Sequence, residues 1–166
     1  MIQNQIPSNI ESLNVLHELH EWIPNQNMIR PNSIELAKKQ LLMNTIESEW
    51  LTLQDYILFK VFNQDFVELP TICKKKIPYI KTSISEFVFT ESLFRYNLPT
   101  YAKHYVLWFS KINFENGKNI INKDTINNII ILEISKYTDN FDFAWYINPK
   151  PSVSDFFHVQ VFWITI

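Results

Sequence analysis

Apolar positions recur at helical spacing through the first half of the chain and alternate in short runs through the second. Ser8 with Glu11 forms a capping-box pattern, and Ile10, Leu13, Leu16, Leu19 and Ile23 then follow one helical face until Pro24. Residues 24–31 read as a polar connector. Asn32 with Glu35 repeats the capping pattern ahead of Ile34, Ala37, Leu41 and Leu42. Thr52 with Asp55 predicts a third helix carrying Leu53, Ile57, Val61 and Phe62, with Asn63 as its stop. From Phe66 to Ser85 the periodicity lapses, and Pro70, Pro78 and the Lys74-Lys75-Lys76 run predict an exposed connection. The lysine run reads as a solvated loop, or alternatively as an anion contact.

The second half changes period. Phe87-Val88-Phe89 and Tyr105-Val106-Leu107-Trp108-Phe109 are strand patterns. Asp124 is the expected N-cap of a helix with Ile126, Ile129, Ile130, Ile134 and Tyr137 on one face. Two more strands are expected at Phe141 to Ile147 and Phe157 to Ile164, around Asn148-Pro149-Lys150-Pro151. The fold expected is α+β: a helical N-terminal half packed with a small, mainly antiparallel sheet and one sheet-covering helix. A single domain over 1–166 is expected, with a helical lead at 1–63, a connector at 64–85 and a strand-helix-strand-strand unit at 86–166.

Composition narrows the chemistry. Of 166 residues, 46% are hydrophobic, enough for a sizeable core, and the formal charge is −2. That balance argues against a nucleic-acid binder. Gly117 is the single glycine, which excludes glycine-rich phosphate cradles such as the P-loop and dinucleotide fingerprints. Cys73 is the single cysteine, which excludes an internal disulfide and multi-cysteine metal sites. No cofactor and no bound metal are expected. No stretch reads as a signal peptide or membrane span, so a cytoplasmic protein with no membrane partner is expected.

Polar residues inside strand patterns are the candidates for chemistry. His17 and His20 share a helical face beside Glu18 and Glu21, but no third convergent ligand is evident. His104, Val106 and Trp108 point to one side of their strand. In the last strand His158, Gln160 and Phe162 share one face, while Val159, Val161 and Trp163 share the other. Unpaired buried polar groups cost about 1–3 kcal/mol each. Either something polar meets His158 and Gln160, or that strand is half-exposed to water. Asn148, Ser152 and Ser154 lie where a loop returns polar groups to this face. His158 and His104 are expected to approach one another across the sheet.

Three segments carry a resemblance. Trp145-Tyr146-Ile147-Asn148-Pro149, Ser152-Val153 and His158-Val159-Gln160-Val161-Phe162 resemble the C-terminal signature of the fungal N-acetylglucosamine-induced protein family, a domain of unknown function. Asn97-Leu98-Pro99 with His104-Tyr105-Val106-Leu107-Trp108 is similar to a second family segment, and Glu49-Trp50 with Asp55-Tyr56-Ile57-Leu58 to a third. Gln160 stands where the family has a second histidine, and Thr100-Tyr101 replaces a Tyr-Gly pair. The resemblance implies a cytosolic protein of the amino-sugar response and brings no agreed reaction. A more distant similarity joins His158-Val159-Gln160 to the His-x-Gln strand of histidine-triad proteins and hexose-1-phosphate uridylyltransferases. Phe156 replaces the first histidine of that strand, and the preceding glycine-rich loop is missing.

Three functions of different class follow. The first is a regulatory or ligand-binding protein of the amino-sugar response, with a polar pocket formed by His158, Asn148, Ser152, Ser154, Gln160, His104, Trp108 and Trp145. Its expected ligand is a small anion, an amino-sugar phosphate or a nucleotide sugar. The second is an enzyme acting on a nucleotide or sugar phosphate, with His158 as catalytic nucleophile or general base. The third is an aromatic-rich adaptor with a protein partner, since Phe, Trp and Tyr make up 15% of the chain.

Overall fold

The computed structural model describes residues 31–70, 75–79, 83–96, 98, 100–110, 114–115, 118–119, 121–148 and 151–166. The expected helix from Ile10 to Ile23, with His17 and His20, lies outside them, as do Cys73, Gly117, Pro149 and Lys150. The described chain is α+β. Helix α1 spans Ser33–Glu49 and α2 spans Leu53–Lys60. Strands β1 (Asp65–Glu68), β2 (Lys76–Tyr79), β3 (Phe87–Glu91), β4 (Lys103–Phe109), β5 (Phe114–Glu115) and β6 (Lys118–Asn119) follow. Helix α3 (Lys123–Ile134) leads to β7 (Phe141–Ile147) and β8 (His158–Thr165).

Caps fix the helix starts. The Asn32 Oδ1 accepts from the Glu35 N–H at 2.9 Å, and the Thr52 hydroxyl accepts from the Asp55 N–H at 3.1 Å. Helix α3 is capped two residues earlier than the sequence suggests. The Asn122 Oδ1 accepts from the Thr125 N–H at 2.8 Å, which makes Asp124 a first-turn residue that complements the helix dipole. After α2, Asn63 takes a φ of 52°, the left-handed conformation that asparagine tolerates best among side-chain-bearing residues.

The segment expected to be an exposed connection instead contains the antiparallel hairpin β1–β2, with Phe66 opposite Pro78. Its anchor is the lysine run itself. Lys76 pairs with Glu49 at 2.7 Å and lies over the Trp50 and Phe66 rings, while Lys75 donates to the Glu47 carbonyl at 2.8 Å. Proline is tolerated in β2 because a two-stranded sheet has only edges. Short strands with so few apolar residues carry no strong alternation, which is why the pattern hides them.

The main sheet has the order β3-β4-β8-β7 and is antiparallel throughout. One face packs on α3: Ile126, Ile130 and Ile134 meet Leu107, Phe109, Val159, Val161 and Trp163. The other face receives α2 through Ile57, and Phe62 just after the helix, against Val106, Trp108 and Phe156. Beside that cluster, Ala144, Tyr146, Phe162 and Ile164 pack under Tyr96, Leu98 and Tyr101. Strand β8 is thereby buried on both sides from His158 to Ile164.

The α3 seam supplies a direct check. Ile130 is fully buried, whereas Leu132 on the same helix is 66% exposed. Ile130→Ala should lower unfolding stability by about 2–4 kcal/mol in urea titration, and Leu132→Ala should stay within about 0.5 kcal/mol.

Candidate functional site

Strand alternation puts His158, Gln160 and Phe162 on the face toward α1 and α2. The β4 register sets Trp108 opposite His158, Val106 opposite Gln160, and His104 opposite Phe162. His104 and His158 therefore share a face but stand four register positions apart, about 13 Å along the strand at ~3.3 Å per residue. Gln160 sits between them, so the expected approach of the two rings is replaced by a bridge from one of them.

That bridge is defined by the chemistry around it. The His104 Nδ1 accepts from the Tyr96 backbone N–H at 3.3 Å, which requires a lone pair on Nδ1. The proton is then on Nε2, which donates to the Gln160 Oε1 at 2.7 Å. With its oxygen committed, Gln160 keeps its NH2 as a donor group. His104 is enclosed by Phe162, stacked at 4.6 Å, and by the Tyr96 ring at 4.6 Å. Burial pushes its pKa down to about 4, against the raising effect of the Gln160 bond, and the Arg95 charge pushes the same way as burial.

His158 has the opposite tautomer. The Phe156 carbonyl can only accept, so the Nδ1–H of His158 donates to it at 2.9 Å and Nε2 carries the lone pair. The ring stacks on Trp108 at 4.4 Å. Burial also lowers the pKa of His158, outweighing the bond to Phe156, so the neutral ring is favoured.

A cleft of about 520 Å³ opens over these residues. Its helical wall is mostly apolar, made by Leu42, Met43, Ile46, Leu53, Ile57 and Val61, with Lys39, Tyr56 and Lys60 among them. Its floor holds Val106, Trp108, His158 and Gln160. Asn148 and Ser152 line it from the β7–β8 connection, where the Ser152 hydroxyl accepts from the Lys39 Nζ at 2.8 Å. This volume lies within the roughly 300–1,000 Å³ usual for small-molecule sites.

Of the residues singled out in the sequence, His158, Gln160, Trp108, Asn148 and Ser152 line the cleft. His104 stands behind it and orients Gln160. Ser154 is exposed and does not line the cleft. Trp145 belongs to the opposite face of the sheet: it packs in the α3 core, and its Nε1–H donates to the Asn127 Oδ1 at 2.6 Å. Alternation along β7 explains the displacement, since Ala144 and Tyr146 take the cleft-side face and Trp145 must take the other. Lys39, Tyr96 and the apolar α1 wall were not legible as site residues. Lys39 and Ser152 are 113 positions apart, and no periodicity reports such a meeting.

Among the described residues no group of three or more His, Cys, Asp or Glu side chains could hold a metal ion. No helix among them is long and apolar enough to cross a membrane. Comparison with protein-family models, curated proteins and solved structures gives no match. The likeness to the fungal family thus rests on the sequence motifs alone.

The buried His104 makes stability depend on acid. Its folded pKa of about 4 lies below the ordinary 6.5, so the unfolded chain binds the proton first. Stability is fully present above pH 6.5 and should fall as pH drops toward 4, by on the order of 3 kcal/mol from this group. Urea titrations of the native protein and of His104→Asn across that window should show a shallower acid slope in the variant.

Proposed function

We propose that the protein binds a small organic molecule in the cleft between α1, α2 and the main sheet, with His158 and Gln160 as the recognising pair. The observation that supports this most is the fixed state of both groups. A backbone carbonyl holds the His158 tautomer and His104 holds the Gln160 amide, so the floor offers one acceptor and one donor already oriented. An apolar wall with a few convergent polar groups is the general form of a ligand site. The sequence likeness adds a narrower reading: a cytoplasmic, regulatory or ligand-binding protein of the amino-sugar response, whose ligand is an amino-sugar phosphate or nucleotide sugar.

The lone pair on a neutral His158 also supports an enzymatic reading. In that reading Nε2 serves as general base or nucleophile toward a nucleotide or sugar phosphate.

Binding can be followed at the site itself. The His158 ring nitrogens are observed by NMR while a fragment library, N-acetylglucosamine, its phosphates and uridine diphosphate N-acetylglucosamine are added. Cleft binders should move the His158 Nε2 resonance. At one hundred times Kd they should add about 2.7 kcal/mol of stability, visible as a Tm raised by roughly 5–10 °C. His158→Phe, which keeps the ring on Trp108, should weaken those binders at least about tenfold. Binders that leave His158 unmoved and tolerate the variant would shift the assignment to the adaptor class. Mass analysis of the same mixtures separates binding from turnover: a converted phosphate compound would favour the enzyme.

A further inference from the structure

Polar groups line the cleft at both ends: Asn148, Ser152 and His158 at one, and Thr90, Glu91 and Ser92, in register with the Gln160 side, at the other. Ile147 of β7 pairs with Val159 of β8, so Asn148 follows β7 at the His158 end of the strand, and Ser152 lines the cleft with it. Ser152 holds the Lys39 ammonium at 2.8 Å. An ammonium has three N–H donors, and among the described residues no carboxylate pairs with Lys39. Lys60 also lines the cleft without a carboxylate partner among the described residues, while Glu91 lies at the end of β3. The His158 end is thus a place for an anion. Between the two ends the helical side presents Leu42, Met43, Ile46, Leu53 and Ile57, and a sugar hydroxyl laid against that side would lose water without gaining a hydrogen bond.

Resting on the reading that the cleft is a ligand site, we infer that its ligand is an amphiphilic hydroxy acid: an anionic head at Lys39 and Ser152, a hydroxyl next to that head on His158, and an apolar body along α1 and α2. The hydroxyl is required by the floor. An apolar chain alone would cover the His158 Nε2 lone pair and leave it unpaired, whereas a hydroxyl donates to it and accepts from the Gln160 NH2. The head is held by a charge-assisted bond to Lys39, which places a carboxylate well above a neutral group of the same length. A nucleotide sugar satisfies the head but not the wall, and ranks below such an acid.

Calorimetry on the full chain, below micelle-forming concentrations, tests each part with 3-hydroxydecanoate, decanoate, decanol and uridine diphosphate N-acetylglucosamine. 3-Hydroxydecanoate should bind about tenfold more tightly than decanoate, and decanoate about tenfold more tightly than decanol. Lys39→Gln should abolish the preference for the acid and keep that for the hydroxyl. His158→Phe should do the reverse. Met43→Gln should weaken all three chains together, and circular dichroism checks that each variant folds. Equal binding of acid and alcohol, or a preference that survives Lys39→Gln, would overturn the inference. Uridine diphosphate N-acetylglucosamine binding in a His158-dependent manner while 3-hydroxydecanoate does not would overturn it and leave the ligand-site reading intact. Failure of every probe here and of every fragment at His158 would remove both.

Discussion

A strand buried on both faces must satisfy its polar side chains largely from the protein, and β8 is such a strand, reached by solvent only where the cleft opens over His158 and Gln160. Gln160 can occupy its centre because His104, on the neighbouring strand, supplies a proton of the right tautomer at 2.7 Å. That tautomer is set in turn by the Tyr96 backbone, so the loop after β3 decides what the floor of the cleft presents. An uncharged His104 is part of the arrangement: a charged ring would place protons on both nitrogens, lose the Tyr96 bond and put a buried cation between Phe162 and Tyr96. The Tyr96 hydroxyl bonded to Tyr146 at 2.7 Å closes the same loop onto β7. One hydrogen-bonded chain therefore ties β4, β8 and β7, and the loop after β3, to the cleft.

The elements written in local chemistry were legible in the sequence. Asn32 with Glu35 and Thr52 with Asp55 placed two helix starts, and the isoleucine face of α3 followed from periodicity. The polar face of β8 was legible from alternation alone, including the difficulty that His158 and Gln160 pose. Its resolution was not, because it depends on a contact 56 positions away in the chain. Likewise the β1–β2 hairpin is held by Lys75 and Lys76 on α1, and a run of lysines read locally looks like solvent-facing loop. The motif around Trp145 points it toward the site, whereas its position in β7 sends it to the α3 side.

The cleft itself is a tertiary object. Its wall comes from α1 and α2, whose leucines and methionine read in sequence as ordinary core residues. Only the packing of α2 on Val106 and Trp108, with α1 standing off the sheet, separates a lined space from a filled interior. Ile46 is the one residue of α1 that is fully withdrawn from solvent, and Leu36 and Leu41 on the same helix stay largely exposed.

The position of β8 has a consequence for how the chain acquires its structure. Among the described strands of the main sheet it comes after the other three in sequence, yet it lies between β4 and β7. Until residues 158–165 have been synthesised, β4 and β7 have no shared partner, and each presents an unpaired edge lined by large apolar side chains. The α3 seam cannot close either, because Val159, Val161 and Trp163 form its opposite wall. Folding of the main sheet accordingly waits on residues 158–165 and is governed by non-local pairing, and the chain before that point is the species most in need of chaperone protection.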